Sequence, residues 1–166
     1  VENQMLRLMA EGAGSAYLST ANEMMDDARW DIWVRFAFTP SNNNHVRIYL
    51  SSSSPDLSGP LSGYYLPLGK TGGDNKRLYF YRQDGTHHEL LMEGLDNVLD
   101  GSNNVVRLRV ERDAGGRWIF LLSSGDGMPF LPQGSVEDGE YETTHWFGLF
   151  CRFTASNAQR MYFDDI

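Results

Sequence analysis

The segment that decides the fold is NVVRLRVERDAGGRWIFLLS, residues 104–123. In its first half the apolar residues Val106, Leu108 and Val110 alternate with arginines, and this period of two predicts a β-strand with one apolar and one polar face. The glycine pair in RDAGGRW then turns the chain into a second strand, WIFLLS, so the segment predicts a β-hairpin.

The same period recurs in RWDIWVRFAF, HVRIYLS and RLYFYRQ, and HWFGLFCRFT adds a longer, more apolar strand. Between these segments lie turn clusters rich in Asn, Asp, Gly, Ser and Pro, such as TPSNNN, SSSSPDLSGP and KTGGDN (residues 70–75). About eleven or twelve strands with turns at this spacing predict an all-β, antiparallel sandwich of two sheets. The best helix candidate is TANEMMDDA, residues 20–28, which would supply a turn or two.

The 166 residues fit one domain, 1–166, and suffice to bury a core. The chain opens on VENQMLRLMA and stops at MYFDDI, apparently within a strand, so we expect it to be excised from a longer protein. No apolar run approaches the roughly 18 residues of a membrane span. The formal net charge of −8 argues against nucleic acid as a partner.

Neither a catalytic group nor a cofactor is predicted from these residues. The lone Cys151 is expected to be a buried small hydrophobe. The acids of VEDGEYE, residues 136–142, are interpreted as a solvated turn before the next strand. His87 and His88 are adjacent on a predicted strand, so they point to opposite faces and cannot share one metal. No Gly-x-Ser-x-Gly elbow is present. We therefore expect the domain not to be an enzyme.

The order of several segments carries a family resemblance: GYYLPLG, LYFYRQDG, RDAGGRW and the closing YFDDI. From about Trp30 to Ile166 the chain resembles the concanavalin A-like lectin/glucanase domains of secreted and surface multidomain proteins of polysaccharide-degrading bacteria. The resemblance implies a jelly-roll sandwich and an extracellular or outer-cell-surface setting beside other modules. It implies no activity, because the superfamily contains lectins, hydrolases and spacers. Its glucanases use a Glu-x-Asp-x-x-Glu pattern that is not found here.

The resemblance also implies a structural calcium ion near the paired termini. Asp164 and Asp165 are the candidate ligands, joined by a loop acid such as Asp126. The alternative interpretation is that these carboxylates accept hydrogen bonds from turn amides at the strand end.

The polar faces of the predicted strands carry arginines and aromatic rings. If the apolar residues face the core, the opposite faces carry the predicted ligand residues Trp33, Arg35, Arg47, Tyr49, Tyr79, Tyr81, Arg107 and Arg109. Such a surface suits polysaccharide, because rings stack on sugars and arginines donate forked hydrogen bonds, above all to acidic glycans. The alternative is an ordinary solvated sheet face, since these residue types also pair well across strands.

The sequence thus predicts a non-catalytic accessory domain that binds polysaccharide on an Arg–aromatic face. The first alternative is a structural or protein-docking spacer that packs on a neighbouring module. The second is a glycoside hydrolase or lyase, which would need a carboxylate pair on the sheet.

Overall fold

The computed structural model describes residues 5–69, 77–95 and 99–165. In those ranges the chain forms twelve β-strands and one 3-10 helical turn, Ala155–Asn157. The strands are β1 Leu6–Arg7, β2 Gly14–Ala21, β3 Ala28–Phe36, β4 His45–Ser52, β5 Leu61–Leu68, β6 Tyr79–Gly85, β7 His87–Glu93, β8 Asn104–Arg112, β9 Arg117–Ser123, β10 Leu131–Glu137, β11 Trp146–Phe153 and β12 Met161–Asp164. The all-β prediction is confirmed.

One predicted element is wrong and another lies outside the described residues. No helix forms at residues 20–28, because β2 continues to Ala21 and β3 begins at Ala28. The short connection between them is turned partly by Asp27, which has a positive φ of 48°. The turn predicted at residues 70–75 falls outside the described ranges. The described part of the chain includes no helix whose length and apolarity would suit a bilayer span.

The strands form two antiparallel six-stranded sheets. Sheet 1 has the order β1-β12-β3-β8-β9-β10, and sheet 2 has the order β2-β11-β4-β5-β6-β7. Neighbours in chain order are therefore often in different sheets: β3 belongs to sheet 1 and β4 to sheet 2. This distribution is what a two-sheet jelly roll requires, and it decides which side chains share a surface.

The hairpin predicted from residues 104–123 is present and joins β8 to β9. Asp113 closes its turn, since its Oδ1 accepts hydrogen bonds from the backbone N–H groups of Gly115 and Arg117, each at 2.9 Å. Gly116 adopts a φ of +80°, which a residue with a side chain would occupy only with strain. The apolar residues Val106, Leu108 and Val110 are all buried, as their alternation predicts.

The core lies between the inner faces of the two sheets. Trp118 is fully buried at its centre, with ring centroids 4.9 Å from both Tyr64 and Phe80. Its indole N–H donates to the backbone carbonyl of Asp138 at 3.0 Å, so the one polar atom of the ring is satisfied. Cys151 of β11 belongs to the same core, and burial raises the pKa of its thiol to about 12. The prediction that Cys151 is buried is confirmed.

Candidate functional site

The two sheets divide the predicted ligand residues between two opposite surfaces of the sandwich. Four of them lie on β3 and β8 in sheet 1, namely Trp33, Arg35, Arg107 and Arg109. The other four lie on β4 and β6 in sheet 2, namely Arg47, Tyr49, Tyr79 and Tyr81. The expectation of a single Arg–aromatic surface is therefore wrong, because strand alternation fixes the face of a strand but not the sheet it joins.

On sheet 1 the Asp31 carboxylate binds two arginines. Its Oδ1 accepts a hydrogen bond from Arg109 Nε at 2.7 Å, and its Oδ2 accepts one from Arg29 Nε at 2.6 Å. Although burial favours the neutral acid, these bonds and the two positive charges hold the pKa of Asp31 below its ordinary value. Arg109 and Arg107 also lie over the ring of Phe130, at 4.4 and 5.2 Å from its centroid. Arg107 and Arg109 therefore make the side-chain contacts expected of residues that pair across neighbouring strands.

Trp33 and Arg35 are also engaged by sheet 1 neighbours. The Trp33 indole N–H donates to Asp126 Oδ1 at 2.9 Å, and Arg35 Nε donates to Asn103 Oδ1 at 3.0 Å. The guanidinium of Arg35 lies 5.4 Å from the ring centroid of Tyr162. Trp33 and Arg35 are therefore both held by hydrogen bonds to other side chains of the protein.

A continuous row of rings crosses the outer face of sheet 2. Tyr79 and Tyr81 lie 6.5 Å apart between ring centroids, and Tyr81 stacks on Tyr65 at 5.4 Å with an interplanar angle of 13°. The guanidinium of Arg47 follows, 5.4 Å from the Tyr65 centroid and 5.6 Å from that of Phe150. We call these five residues the aromatic strip. It runs over β6, β5, β4 and β11, which are consecutive in the sheet.

A loop, residues 53–60, lies across the same face beside the strip. Its Leu57 is 1% exposed and packs with Tyr49, Leu61 and Tyr65 in a small second core outside the sheet. Gly148 on β11 makes room for it, because a Cβ there would lie 2.6 Å from a methyl group of Leu57. The loop therefore buries part of a face that the alternation alone marks as solvated.

Hydrogen bonds fasten this loop at both ends of its path. On β2, Ser19 Oγ donates to the carbonyl of Pro55 at 2.8 Å. On β6, Gln83 Nε2 donates to the carbonyl of Gly59 at 3.3 Å, while its Oε1 accepts the hydroxyl proton of Tyr49 at 2.8 Å. Tyr49 is fully buried under the loop and supports the strip without reaching the surface. Its predicted role as a direct ligand contact is not compatible with that burial.

The adjacent tyrosines of β5 point in opposite directions, as expected. Tyr65 belongs to the strip, with its hydroxyl 3.2 Å from Nδ1 of His88. Tyr64 belongs to the core, and its hydroxyl donates to Asp138 Oδ1 at 2.5 Å. Asp138 also accepts from Arg82 Nη1 at 2.7 Å, so this acid of the VEDGEYE segment is a structural anchor.

Two further basic residues lie where the strip ends on β4 and β11. Arg152 directly faces His45 across the β4–β11 pair, and Phe150 faces Arg47. Burial, and then the charges of Arg47 and Arg152, lower the pKa of His45 to about 4, so its imidazole is neutral at pH 7. Beside Phe150 and Arg152 opens a cavity of about 520 Å³, whose polar lining includes Asn43 and Ser15.

No protein-family model matches the sequence. No curated protein matches it either. Solved structures do match over nearly the whole chain. A legume lectin-like domain from Entamoeba histolytica superposes with a TM-score of 0.64 at 10% identity, over 98% of this chain and 81% of that one. The exoplasmic/lumenal domain of VIP36, with Ca²⁺ and mannose bound, gives 0.65 at 12% identity, over 100% and 80%. The carbohydrate-binding module CBM66 from Bacillus subtilis gives 0.56 at 10% identity, over 93% and 78%.

The chain has the concanavalin A-like jelly-roll fold. The resemblance stated from the sequence is confirmed at the level of the fold. At 10–12% identity these neighbours show the architecture alone, so the function of this concanavalin A-like sandwich has to be argued from its own residues.

The predicted metal ligands of this concanavalin A-like sandwich line one cavity of about 430 Å³ on sheet 1. Asp164, Asp165 and Asp126 all contribute to its wall. Asp126 accepts from Trp33, and Asp164 Oδ1 accepts from the backbone N–H of Asp165 at 3.0 Å. Within the described ranges, no three His, Cys, Asp or Glu side chains converge closely enough to hold a metal. A calcium ion at Asp164 and Asp165 stays a prediction.

Sequence reasoning overlooked three side chains of the sheet 2 surface. Phe150 and Arg152 alternate with the buried Leu149, Cys151 and Phe153, and this alternation was the available signal. It was hidden because most of the HWFGLFCRFT segment is apolar. Leu57 is a single leucine within a run of turn residues, which have the composition of an exposed loop.

Proposed function

We propose that this domain binds carbohydrate on the outer face of sheet 2 and catalyses no reaction. The observation that carries the proposal is the aromatic strip, in which the partly exposed Tyr79, Tyr81 and Phe150, the buried Tyr65 and the guanidinium of Arg47 form one row beside a cavity. The C–H faces of a sugar ring pack on aromatic rings, and its hydroxyls pair with forked or amide donors. Tyr79, Tyr81 and Phe150 offer the rings, and Arg47 and Asn43 offer the donors.

The composition of the strip supports the proposal that the domain does not catalyse a reaction. Glycoside hydrolysis requires two carboxyl groups roughly 5–10 Å apart that flank the scissile bond. None of the five strip residues is acidic, and Asp138, the most engaged acid of the VEDGEYE segment, is bound to Arg82 and Tyr64. The strip is therefore suited to holding a glycan and not to cleaving one.

We place the domain in a secreted or cell-surface bacterial protein, as an accessory module beside others. This setting is supported by the resemblance of the GYYLPLG, LYFYRQDG and YFDDI segments to such modules. It agrees with the VIP36 neighbour, which is an exoplasmic/lumenal domain. In a multidomain protein, weak binding by one module gains strength through tethering to the same polymer.

A glycan array of neutral and acidic polysaccharides, probed with and without calcium, tests the proposal. We expect Tyr81→Ala to weaken binding about tenfold, equivalent to about 1.4 kcal/mol, because a stacking ring is lost. Trp33→Ala on sheet 1 is the matched control, since it removes a partly exposed ring from the opposite surface. Equal losses for the two variants, or a blank array from folded protein, would contradict the proposal.

A blank array would favour the docking spacer. A specific surface supports that alternative: the open edge between β1 and β2 exposes Leu18 at 56% and Met9 at 63%, together with Leu6. Contact with a neighbouring module would cover these apolar side chains. Binding of glycans by the isolated domain would argue against a purely structural role.

A further inference from the structure

The arginines of the sandwich fall into two groups according to their partners. Several pair with carboxylates: Arg29 and Arg109 with Asp31, Arg77 with Glu93, Arg82 with Asp138, and Arg112 with Asp26. Arg47 and Arg152 form no ion pair with any of the described residues. Arg35 and Arg107 on sheet 1 also form no ion pair among the described residues, so the case for Arg47 and Arg152 rests on their position beside Phe150 and the adjacent cavity.

The strip holds Arg47 in place without neutralising it. Its guanidinium lies over two rings, Tyr65 and Phe150, which orient it but carry no charge. Its Nε is buried and has no hydrogen-bond partner among the described residues. Arg47 as a whole is partly exposed, so an anion can approach its side chain from solvent although Nε itself is buried.

Arg152 lies close enough to share the same anion. It faces His45 in the β4–β11 register, and Arg47 is two residues further along β4 on the same face. Diagonal neighbours of this kind are separated by roughly 7–8 Å, well within the reach of two arginine side chains. His45 lies between them and remains neutral, so it adds no third charge that an anion would have to balance.

The cavity beside them is suited to the rest of a sugar residue. Phe150 and Arg152 both line it, and Asn43 and Ser15 add an amide and a hydroxyl. A sugar ring stacked on Phe150 would lie beside both arginines. Arginine is the residue type that binds carboxylate and sulfate oxygens with two parallel hydrogen bonds.

We infer that the carbohydrate bound on this face carries an anionic group, a carboxylate or a sulfate ester, and that Arg47 and Arg152 bind this group together beside the ring of Phe150. The inference rests on the proposed function, since it specifies the ligand class of the same surface. The single negative charge of that group would lie beside two arginines that form no ion pair with the described residues.

The test compares acidic polysaccharides with their own neutral derivatives. In one arm a uronic-acid polymer is measured before and after methyl esterification, and in the other a sulfated polymer is measured before and after desulfation. Affinity is determined by calorimetry for the wild type, Arg47→Ala, Arg47→Lys and Arg152→Ala. Arg107→Ala is the matched control, because Arg107 also lies over a ring, that of Phe130, on the opposite sheet.

We expect one arm to show at least tenfold tighter binding of the charged polymer. Arg47→Ala and Arg152→Ala should each abolish that preference, so that the charged polymer and its neutral derivative bind with similar affinity. Arg47→Lys should restore only part of it, since lysine keeps the charge but lacks the planar fork. Arg107→Ala should behave as the wild type. The arm that responds identifies the anion.

The outcomes separate the inference from the proposed function. Equal binding of charged and neutral polymers would overturn the inference and leave carbohydrate binding intact. If Arg107→Ala reduced the preference for the charged polymer as much as Arg47→Ala does, the polymer would be attracted by positive charge at any position. That result would also overturn the inference. No binding in either arm would overturn both. Arg152 is exposed, so Arg152→Ala keeps the test valid even if Arg47→Ala unfolds.

Discussion

The pKa of His45, a residue near the strip, depends on its burial and on the neighbouring arginines. The imidazole is buried at the start of β4, with Nδ1 2.8 Å from the carbonyl oxygen of Asn42. Backbone bonds to Asn42 and Ser41 favour its protonation, but burial outweighs them, and the charges of Arg47 and Arg152 act in the same direction as burial. The pKa of His45 is lowered from 6.5 to about 4.

This shift predicts a loss of stability in mild acid. As the pH falls below 6.5, the unfolded chain binds a proton at this histidine while the folded protein does not. The free energy of unfolding should therefore decrease between pH 6.5 and pH 4, by up to about 3 kcal/mol, and should not depend on His45 above pH 6.5. Urea denaturation across this range measures it.

His45→Gln is the control for this prediction. Glutamine keeps an N–H donor for the Asn42 carbonyl but does not titrate, so the decrease should become smaller in the variant. An identical pH dependence in both proteins would show that other groups, such as Asp31 with its lowered pKa, cause the acid sensitivity.

At the scale of elements, the loop at residues 53–60 decides which part of sheet 2 a ligand can reach. Leu57→Ala should lower the free energy of unfolding by about 2–4 kcal/mol, because it removes the side chain at the centre of the second core. Tyr49 and Tyr65 should then become accessible to a fluorescence quencher. Chemical denaturation and quenching measure the two effects.

Leu131→Ala is the matched control, because this leucine of β10 is exposed and should change stability by less than about 0.5 kcal/mol. If Leu57→Ala lowered stability but left both tyrosines shielded, another part of the chain would have to cover them.

The same elements show what the sequence could and could not predict. Alternation gave the strands and their inner faces correctly, because burial of Val106, Leu108 and Val110 depends on local periodicity alone. It could not assign β3 and β4 to different sheets, since that depends on pairing with strands far along the chain. Hence Trp33 and Arg47 were predicted on one surface and lie on two.

The buried state of Tyr49 was beyond prediction for a related reason. A strand pattern assumes that the outer face meets water, and the SSSSPDLSGP segment has the composition of an exposed turn. Only the packing of Leu57 against Tyr49 and Tyr65 reveals that the loop folds back. Arg47 was predicted correctly as a polar-face residue, while its unpaired charge became evident only from the three-dimensional contacts.

At the scale of the whole molecule, the two outer faces have different chemistry. Sheet 1 joins its arginines to Asp31, Asn103 and Phe130. Sheet 2 combines a shielding loop, a row of rings of which Tyr79, Tyr81 and Phe150 are partly exposed, and two arginines without an ion pair among the described residues. A single core that includes Trp118 separates the two surfaces, so substitutions on one face should not alter binding on the other.

The single cysteine, Cys151, is buried, so the rate at which it reacts with a thiol reagent reports how often the surrounding structure opens. Cys151 lies on β11 beside the edge strand β2, and it lines a cavity of about 190 Å³ that also touches Leu6 and Leu18. A thiol reagent can react there only when the surroundings open, so its rate relative to unfolded protein measures the free energy of opening. We expect labelling to be at least about a thousandfold slower than in the unfolded chain. We also expect labelling to be faster than it would be if only global unfolding exposed the thiol. The reason is that β2 is an edge strand that pairs with β11 alone and can detach by itself. If the free energy of opening equalled the free energy of global unfolding, the sandwich would open as one unit, and β2 would not detach before the rest of the protein unfolds.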